Sequence, residues 1–193
     1  VMKTLDGYDY THVRLPDGYT RDQLTSLEFL DHAQDLVFYG RTGRGKTHLA
    51  IALGVKAIGQ GRAVRFCQTA ELVLQLGKAK RAGSLDQILK DLARADLIIL
   101  DEFGYVPFDI DGARLLYQII AGAYERRSII FTTNIEFGKW GTIFADDKLA
   151  AAIVDRIVHH GRLIEFHGPS RRMSEALMFD HTNNQSTTTS MPQ

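Results

Sequence analysis

Gly40-Arg41-Thr42-Gly43-Arg44-Gly45-Lys46-Thr47 fits the pattern G-x-x-x-x-G-K-[ST] at every fixed position. In that pattern, the Walker A loop, backbone N–H groups wrap phosphate oxygens, the lysine reaches the outer phosphates and the hydroxyl ligates Mg²⁺. Gly40, Arg41, Thr42, Gly43, Arg44, Gly45, Lys46, Thr47 and the next residue, His48, are therefore the expected phosphate contacts. Glycine suits such a loop because it adopts backbone conformations closed to other residues and leaves bare backbone against the ligand. With glycine near 7% of residues, chance would produce the pattern in about one chain in a hundred of this length. The flanks agree with it. Leu36-Val37-Phe38-Tyr39 has the continuous apolar character of a strand buried on both faces. His48 to Ile58 is rich in helix formers and closes on Gly59-Gln60-Gly61. Strand, loop and helix follow in the required order, and the helix N-terminus adds its dipole and free N–H groups.

Composition sets the outer limits. The chain has 193 residues, 45% hydrophobic and 24% charged, which is enough for one domain with a real core. No uninterrupted apolar run approaches about 18 residues, and no secretory leader precedes the loop, so a cytoplasmic protein without a membrane segment is expected. Lys and Arg number 23 against 23 Asp and Glu, which removes bulk charge as an argument for nucleic acid binding. Charge is uneven along the chain, however. Residues 1–35 are acidic, whereas Lys78, Lys80, Arg81, Lys90 and Arg94 face only Asp86 and Asp91 between Lys78 and Arg94. The single cysteine, Cys67, excludes a disulfide within the chain and reads as a buried, inert thiol. His159-His160 does not suit a shared metal, because neighbours on a helix point about 100° apart.

Further strand candidates are Ala63–Cys67, Leu97–Leu100, Ser128–Thr132 and Leu163–Phe166, which makes five with Leu36–Tyr39. Helices are expected at Arg21–His32, Lys46–Ile58, Ala70–Lys80, Leu85–Arg94, Gly112–Tyr124 and Lys148–His159. Alternation of this kind predicts an α/β fold, a five-stranded, mostly parallel sheet flanked by helices, with ligand at the carboxyl ends of the strands. From Asp180 onward the chain is polar and of low complexity, the composition of a disordered tail over 180–193.

Leu97-Ile98-Ile99-Leu100-Asp101-Glu102 supplies the second half of a hydrolytic site. Asp101 is placed to hold Mg²⁺ together with Thr47, since Mg²⁺ takes oxygen ligands and keeps several waters. Glu102 is placed to orient the water that attacks the terminal phosphate. Ser128-Ile129-Ile130-Phe131-Thr132-Thr133-Asn134 is a further apolar strand ending in polar residues. Asn134 would set its amide between that water and the γ-phosphate; alone, a strand-end Asn is more readily a turn former. ATP and Mg²⁺ are the ligands these residues call for, with Lys46, Glu102 and Asn134 in the catalytic roles. Small-molecule kinases are disfavoured, because no acceptor-binding motif accompanies the loop.

The succession G-R-T-G-R-G-K-T-H-L-A, L-I-I-L-D-E-F-G-Y and F-T-T-N resembles the AAA+ ATPases of the DnaC/IstB type, a branch of the P-loop NTPases (ASCE class). The stretch F-G-K-W-G-T-I-F-A-D-D-K-L-A-A-A-I-V-D-R-I-V-H-H is especially similar to IstB, the helper ATPase encoded beside a transposase in one class of bacterial insertion sequences. Phe137, Trp140, Phe144, Asp155-Arg156 and His159-His160 set this group apart; read from the residues alone, the aromatics are core packing. The resemblance runs from about Lys3 to Met178, which makes 1–179 the ATPase core. It implies that the N-terminal partner- or DNA-binding domain usual in the family is missing here, and that the C-terminal lid is reduced.

The resemblance further implies self-assembly into an AAA+ oligomer, with ATP between subunits and an arginine finger supplied in trans. Arg156 is the expected finger, with Arg162 as runner-up and a salt bridge from Arg156 to Asp155 or Glu165 as the structural alternative. Helicase loaders carry an extra arginine near the position of Val158, which leaves the finger assignment open. Arg172, or Arg171, would contact the nucleotide in cis. The segment from Gln68 to Arg94 would be the helical wedge of this type. On it, Lys78, Lys80 and Arg81 are either phosphate contacts to duplex DNA or an ordinary solvated face. The resemblance thus implies an ATPase that assembles on DNA and assists a transposase, or alternatively a DnaC-like loader of a replicative helicase.

Overall fold

The computed structural model describes residues 3–168. All five expected strands form: β2 (Asp35–Gly40), β3 (Val64–Gln68), β4 (Leu97–Asp101), β5 (Ser128–Thr133) and β6 (Gly161–Phe166). A sixth, β1 (Val13–Arg14), pairs antiparallel with β6, so among the described residues the sheet has six strands rather than five, in the order β1-β6-β2-β5-β4-β3. Two residues carry no alternation to read, which is why the entry segment gave no strand signal. Every other pairing is parallel.

β4 and β5 are buried at every residue because both faces of the sheet are covered. Side chains alternate between two cores. Leu36, Phe38, Leu97, Ile99, Ile130 and Ile164 face α1 (Arg21–Thr25), α2 (Glu28–Asp31) and α3 (Lys46–Gly59). Val37, Ile98, Leu100, Ile129 and Phe131 face α4 (Thr69–Ala82), α5 (Leu85–Ala93), α6 (Ile110–Ala123) and α7 (Asp147–His160). The helix expected over Arg21–His32 breaks at Leu27, whose φ of 65° is left-handed. Its apolar spacing runs on through the break, since Leu24, Leu27, Phe29 and Leu30 are all buried. α4 and α5 form a hairpin between β3 and β4, parted by Gly83 at φ 74°.

Phe137, Trp140 and Phe144 are core. Trp140 is fully buried, packs on Phe103 and Phe131, and donates its indole N–H to the Ile135 carbonyl at 3.0 Å. This aromatic cluster lies directly under the chain leaving β4. No helix among the described residues is long and apolar enough to cross a membrane. The expected tail 180–193, the lid, and Arg171 and Arg172 lie outside the described residues.

Asp35 opens β2 at the end of the sheet remote from the glycine loop, buried, with Oδ1 accepting the Ile129 N–H at 2.8 Å. Burial pushes its pKa up to about 7, against the opposing effect of that hydrogen bond. A carboxyl that stays protonated in the fold to about pH 7 but ionises near pH 4 when unfolded stabilises the fold fully at acid pH. That stability is lost as pH rises toward 7. Asp35→Asn, neutral at all pH and able to keep the acceptor, should gain about 2 kcal/mol over the native protein at about pH 8 and nothing near pH 4. Urea unfolding midpoints at the two pH values provide the check; equal pH slopes for the two proteins would clear Asp35 of this role.

Candidate functional site

The loop between β2 and α3 needs its glycines for two different reasons. Gly43 and Gly45 have φ of 83° and 90°, in the left-handed region that glycine tolerates. Gly40 is constrained by packing instead: a Cβ there would stand 2.4 Å from the Phe166 carbonyl oxygen on β6. Lys46 begins α3, is 4% exposed, and donates from Nζ to the carbonyls of Gly40 at 2.5 Å and Arg41 at 2.8 Å. Burial lowers its pKa to about 8, with Asp101 and Glu102 opposing and Arg44 reinforcing the shift. Arg44 keeps Nε and Nη1 buried with no hydrogen-bond partner among the described residues. Two desolvated cations in one loop suit an anionic ligand.

An unanticipated strap braces the same loop. Tyr8, buried in the entry segment, donates its hydroxyl to the Gly45 carbonyl at 3.0 Å. His48 turns toward that strap: its Nε2 lies 3.2 Å from the Thr4 carbonyl and its ring meets Tyr8 edge-on.

Asp101 ends β4 beside the loop and is 6% exposed. Its Oδ1 accepts from Thr47 Oγ1 at 2.8 Å and Thr132 Oγ1 at 2.5 Å, joining the two halves of the site expected from sequence. Hydroxyl and carboxylate oxygens at this spacing fit a hard divalent cation such as Mg²⁺. Glu102 follows at a left-handed φ of 54°, which turns its side chain out of the strand. Its N–H donates to Thr132 Oγ1 at 2.8 Å, and its Oε2 accepts from Gln68 Nε2 at 2.7 Å. Thr69 and Thr133 donate to the carbonyls of Asp101 and Phe103, each at 2.7 Å, so hydroxyls pin the turn on both sides. Asn134 is exposed one residue past Thr133, which pairs with Tyr39 at the start of the loop. Thr132 and Thr133 were visible as polar residues closing an apolar strand. Tyr8 and Gln68 gave no signal, their partners lying 37 and 34 residues away.

Arg156 lies elsewhere. β6 runs parallel to β2 from Gly161 beside Asp35 to Phe166 beside Gly40. The end of α7 is therefore at the amino ends of the strands, about 16 Å of strand from the loop. The Arg156 guanidinium rests over the rings of Tyr117 and Tyr124 and donates to the Tyr117 hydroxyl at 3.2 Å. Glu165 pairs with His167 and Asp155 with His159, so neither takes Arg156. Arg162, near the same end, stacks on Tyr19 at 4.2 Å. His160 turns to Glu125, away from His159. Cys67 is half-buried and burial pushes its thiol pKa up, as suits an inert thiol. Lys78, Lys80 and Arg81 are exposed on α4, with Arg81 folded back over Gly77.

A family model described as IstB-like ATP binding protein matches residues 1–178. The chain is 39% identical over 173 residues to the ATP-binding protein named for insertion sequence IS5376 of Geobacillus stearothermophilus, covering 90% of this chain and 69% of that one. It is 40% identical over 174 residues to the one named for insertion sequence IS21 of Pseudomonas aeruginosa, covering 90% and 66%. The chain thus spans about two thirds of the length of these relatives. Among solved structures, the DnaC helicase loader superposes with a TM-score of 0.69 at 23% identity, over 86% of this chain and 97% of that one. The fold is that of the P-loop AAA+ proteins.

Triphosphate oxygens beside Lys46 would raise its pKa, so binding takes up a proton wherever the free amine is neutral. Affinity for ATP should hold steady up to about pH 8 and then fall by up to about tenfold per pH unit. Calorimetric titrations from about pH 7 to about pH 9.5 measure this, and a flat profile would contradict the assignment.

Proposed function

The chain belongs to the IstB-like ATP-binding family, and from that premise we propose that it is an ATP-hydrolysing AAA+ protein that assembles on duplex DNA and assists a transposase in choosing or remodelling its target. The observation that carries the hydrolytic part is the hydrogen bond from Thr47 Oγ1 to Asp101 Oδ1, with Glu102 turned out beside them. Lys46 and the N–H groups of the loop hold the phosphates. Thr47 and Asp101 hold Mg²⁺, which supplies neutralising charge to the β- and γ-phosphates. Glu102 accepts a proton from the attacking water, and its hydrogen bond with Gln68 keeps that carboxylate to one side until the water and phosphate are in place. Asn134 directs its amide to the same water.

The finger belongs to a second copy. Arg156 stands toward the opposite end of the strands from its own loop, where a neighbour stacked on that end would receive it. Tyr117 and Tyr124 hold the guanidinium in place beforehand, which limits the side-chain entropy lost on docking. Arg172 is proposed as the cis contact, and Lys78, Lys80 and Arg81 as contacts to DNA phosphates. The insertion-sequence names of the relatives favour a transposase as partner. A helicase-loading role is the second reading, favoured by likeness in fold to the DnaC loader alone. ATP-dependent binding to duplex DNA without contact to a replicative helicase supports the first role; helicase capture with a preference for single strands supports the second.

Glu102→Gln should retain ATP binding, lower turnover by about a hundredfold or more, and accumulate assembled protein. Arg156→Ala should bind ATP normally yet lose about a thousandfold in assembly-dependent turnover. Mixing the two variants should restore activity at mixed interfaces; no recovery would argue against a finger acting in trans. Replacing Lys78, Lys80 and Arg81 with Ala should flatten the dependence of log affinity on log salt by up to about 0.9 per lost contact. An unaltered slope would return the three to ordinary surface.

A further inference from the structure

Thr132 sits inside β5 at 1% exposure, and its hydroxyl is committed in both directions. The oxygen accepts the Glu102 N–H at 2.8 Å, while its single proton goes to Asp101 Oδ1 at 2.5 Å. The N–H can only donate and the carboxylate can only accept, so the direction of the relay is fixed. Thr47 Oγ1 donates to the same Oδ1 at 2.8 Å. Two hydroxyl protons therefore converge on Oδ1, and Oδ2 makes no hydrogen bond among the described residues.

From this geometry we propose that Thr132 is a positioning residue: its hydroxyl turns the Asp101 carboxylate so that Oδ2 is presented to the metal–nucleotide complex, and it ties that orientation to the Glu102 turn. A carboxylate rotates about its last torsion with little intrinsic preference, so neighbouring donors decide which oxygen faces the ligand. Thr47 alone cannot fix that choice, because its hydroxyl also has to offer a lone pair to the cation. Thr132 has no such second duty. The same hydroxyl anchors the first peptide N–H of a left-handed turn at a residue with a Cβ, a conformation that needs outside support. Thr132 stands two residues before Asn134, which follows the end of β5, and its one hydroxyl bridges the Asp101 carboxylate and the Glu102 backbone.

The inference rests on Thr47 and Asp101 holding Mg²⁺ with ATP. Its test is calorimetric ATP binding with and without Mg²⁺, in the native protein, in Thr132→Val, which keeps the shape but removes both bonds, and in Thr132→Ser, which keeps the hydroxyl. The native protein should gain affinity on adding Mg²⁺. Thr132→Val should lose about tenfold or more of that gain while its metal-free affinity stays within about twofold, and Thr132→Ser should recover most of it. Half-activating Mg²⁺ for turnover should rise in parallel in the Val variant. If the Val variant does not fold, Thr132→Cys, with a weak S–H donor, takes its place in the same titrations. A full Mg²⁺ gain in the Val or Cys variant overturns the role of Thr132 alone. No Mg²⁺ gain in the native protein overturns the metal-site reading, and the inference with it.

Discussion

An acidic side chain at the end of a strand buried on both faces has to be compensated, and the rest of this site depends on how Asp101 meets that demand. Water reaches little of it, so protein donors replace hydration. Thr47 comes from the glycine loop and Thr132 from the neighbouring strand, and their meeting on one oxygen locks β4 against both. Registry between loop and sheet thereby becomes a matter of hydrogen bonding as well as packing. From the turn that follows, Phe103 drops into the aromatic cluster with Trp140, which fixes where Glu102 leaves the strand. One local requirement, satisfying a nearly dry carboxylate, thus places the residues on either side of the ligand.

The two ends of the sheet have opposite character. At the carboxyl ends of the strands lie the glycine loop, two carboxylates and an exposed amide. At the other end are buried Asp35, Arg162 stacked on Tyr19, and Arg156 cradled between Tyr117 and Tyr124. The Arg156 guanidinium thus lies at the end of the sheet away from the phosphate loop of its own copy. This division suits a protein whose chemistry is completed by stacking, and it is built from strand direction rather than from any special loop.

Much of this was legible in the sequence, for physical reasons. Leu36–Tyr39, Leu97–Leu100 and Ser128–Thr132 read as strands because burial on both faces demands unbroken apolar runs. The loop was legible because phosphate contact by backbone restricts residue type at fixed spacing. What escaped depended on partners distant in the chain. Gln68 looks like any polar strand end until β3 aligns with β4 and brings it to Glu102. Tyr8 lies in a segment of mixed composition, and only folding lays it against Gly45. The break at Leu27 was hidden because the leucine spacing satisfies one continuous helix equally well. At Gly40 packing adds a reason for glycine that the loop pattern does not carry, since β6 occupies the space a side chain would need.

That contact between Gly40 and Phe166 has a mechanical consequence. The first residue of the loop and the last residue of the sheet's final parallel strand touch backbone to backbone, with no side chain between them to yield. Such a joint has almost no compliance. A load applied along β6, from β1 at its free edge or from the chain continuing beyond it, is delivered to the phosphate loop without being absorbed by repacking. The loop is thereby the stiff end of a short transmission that starts at β1.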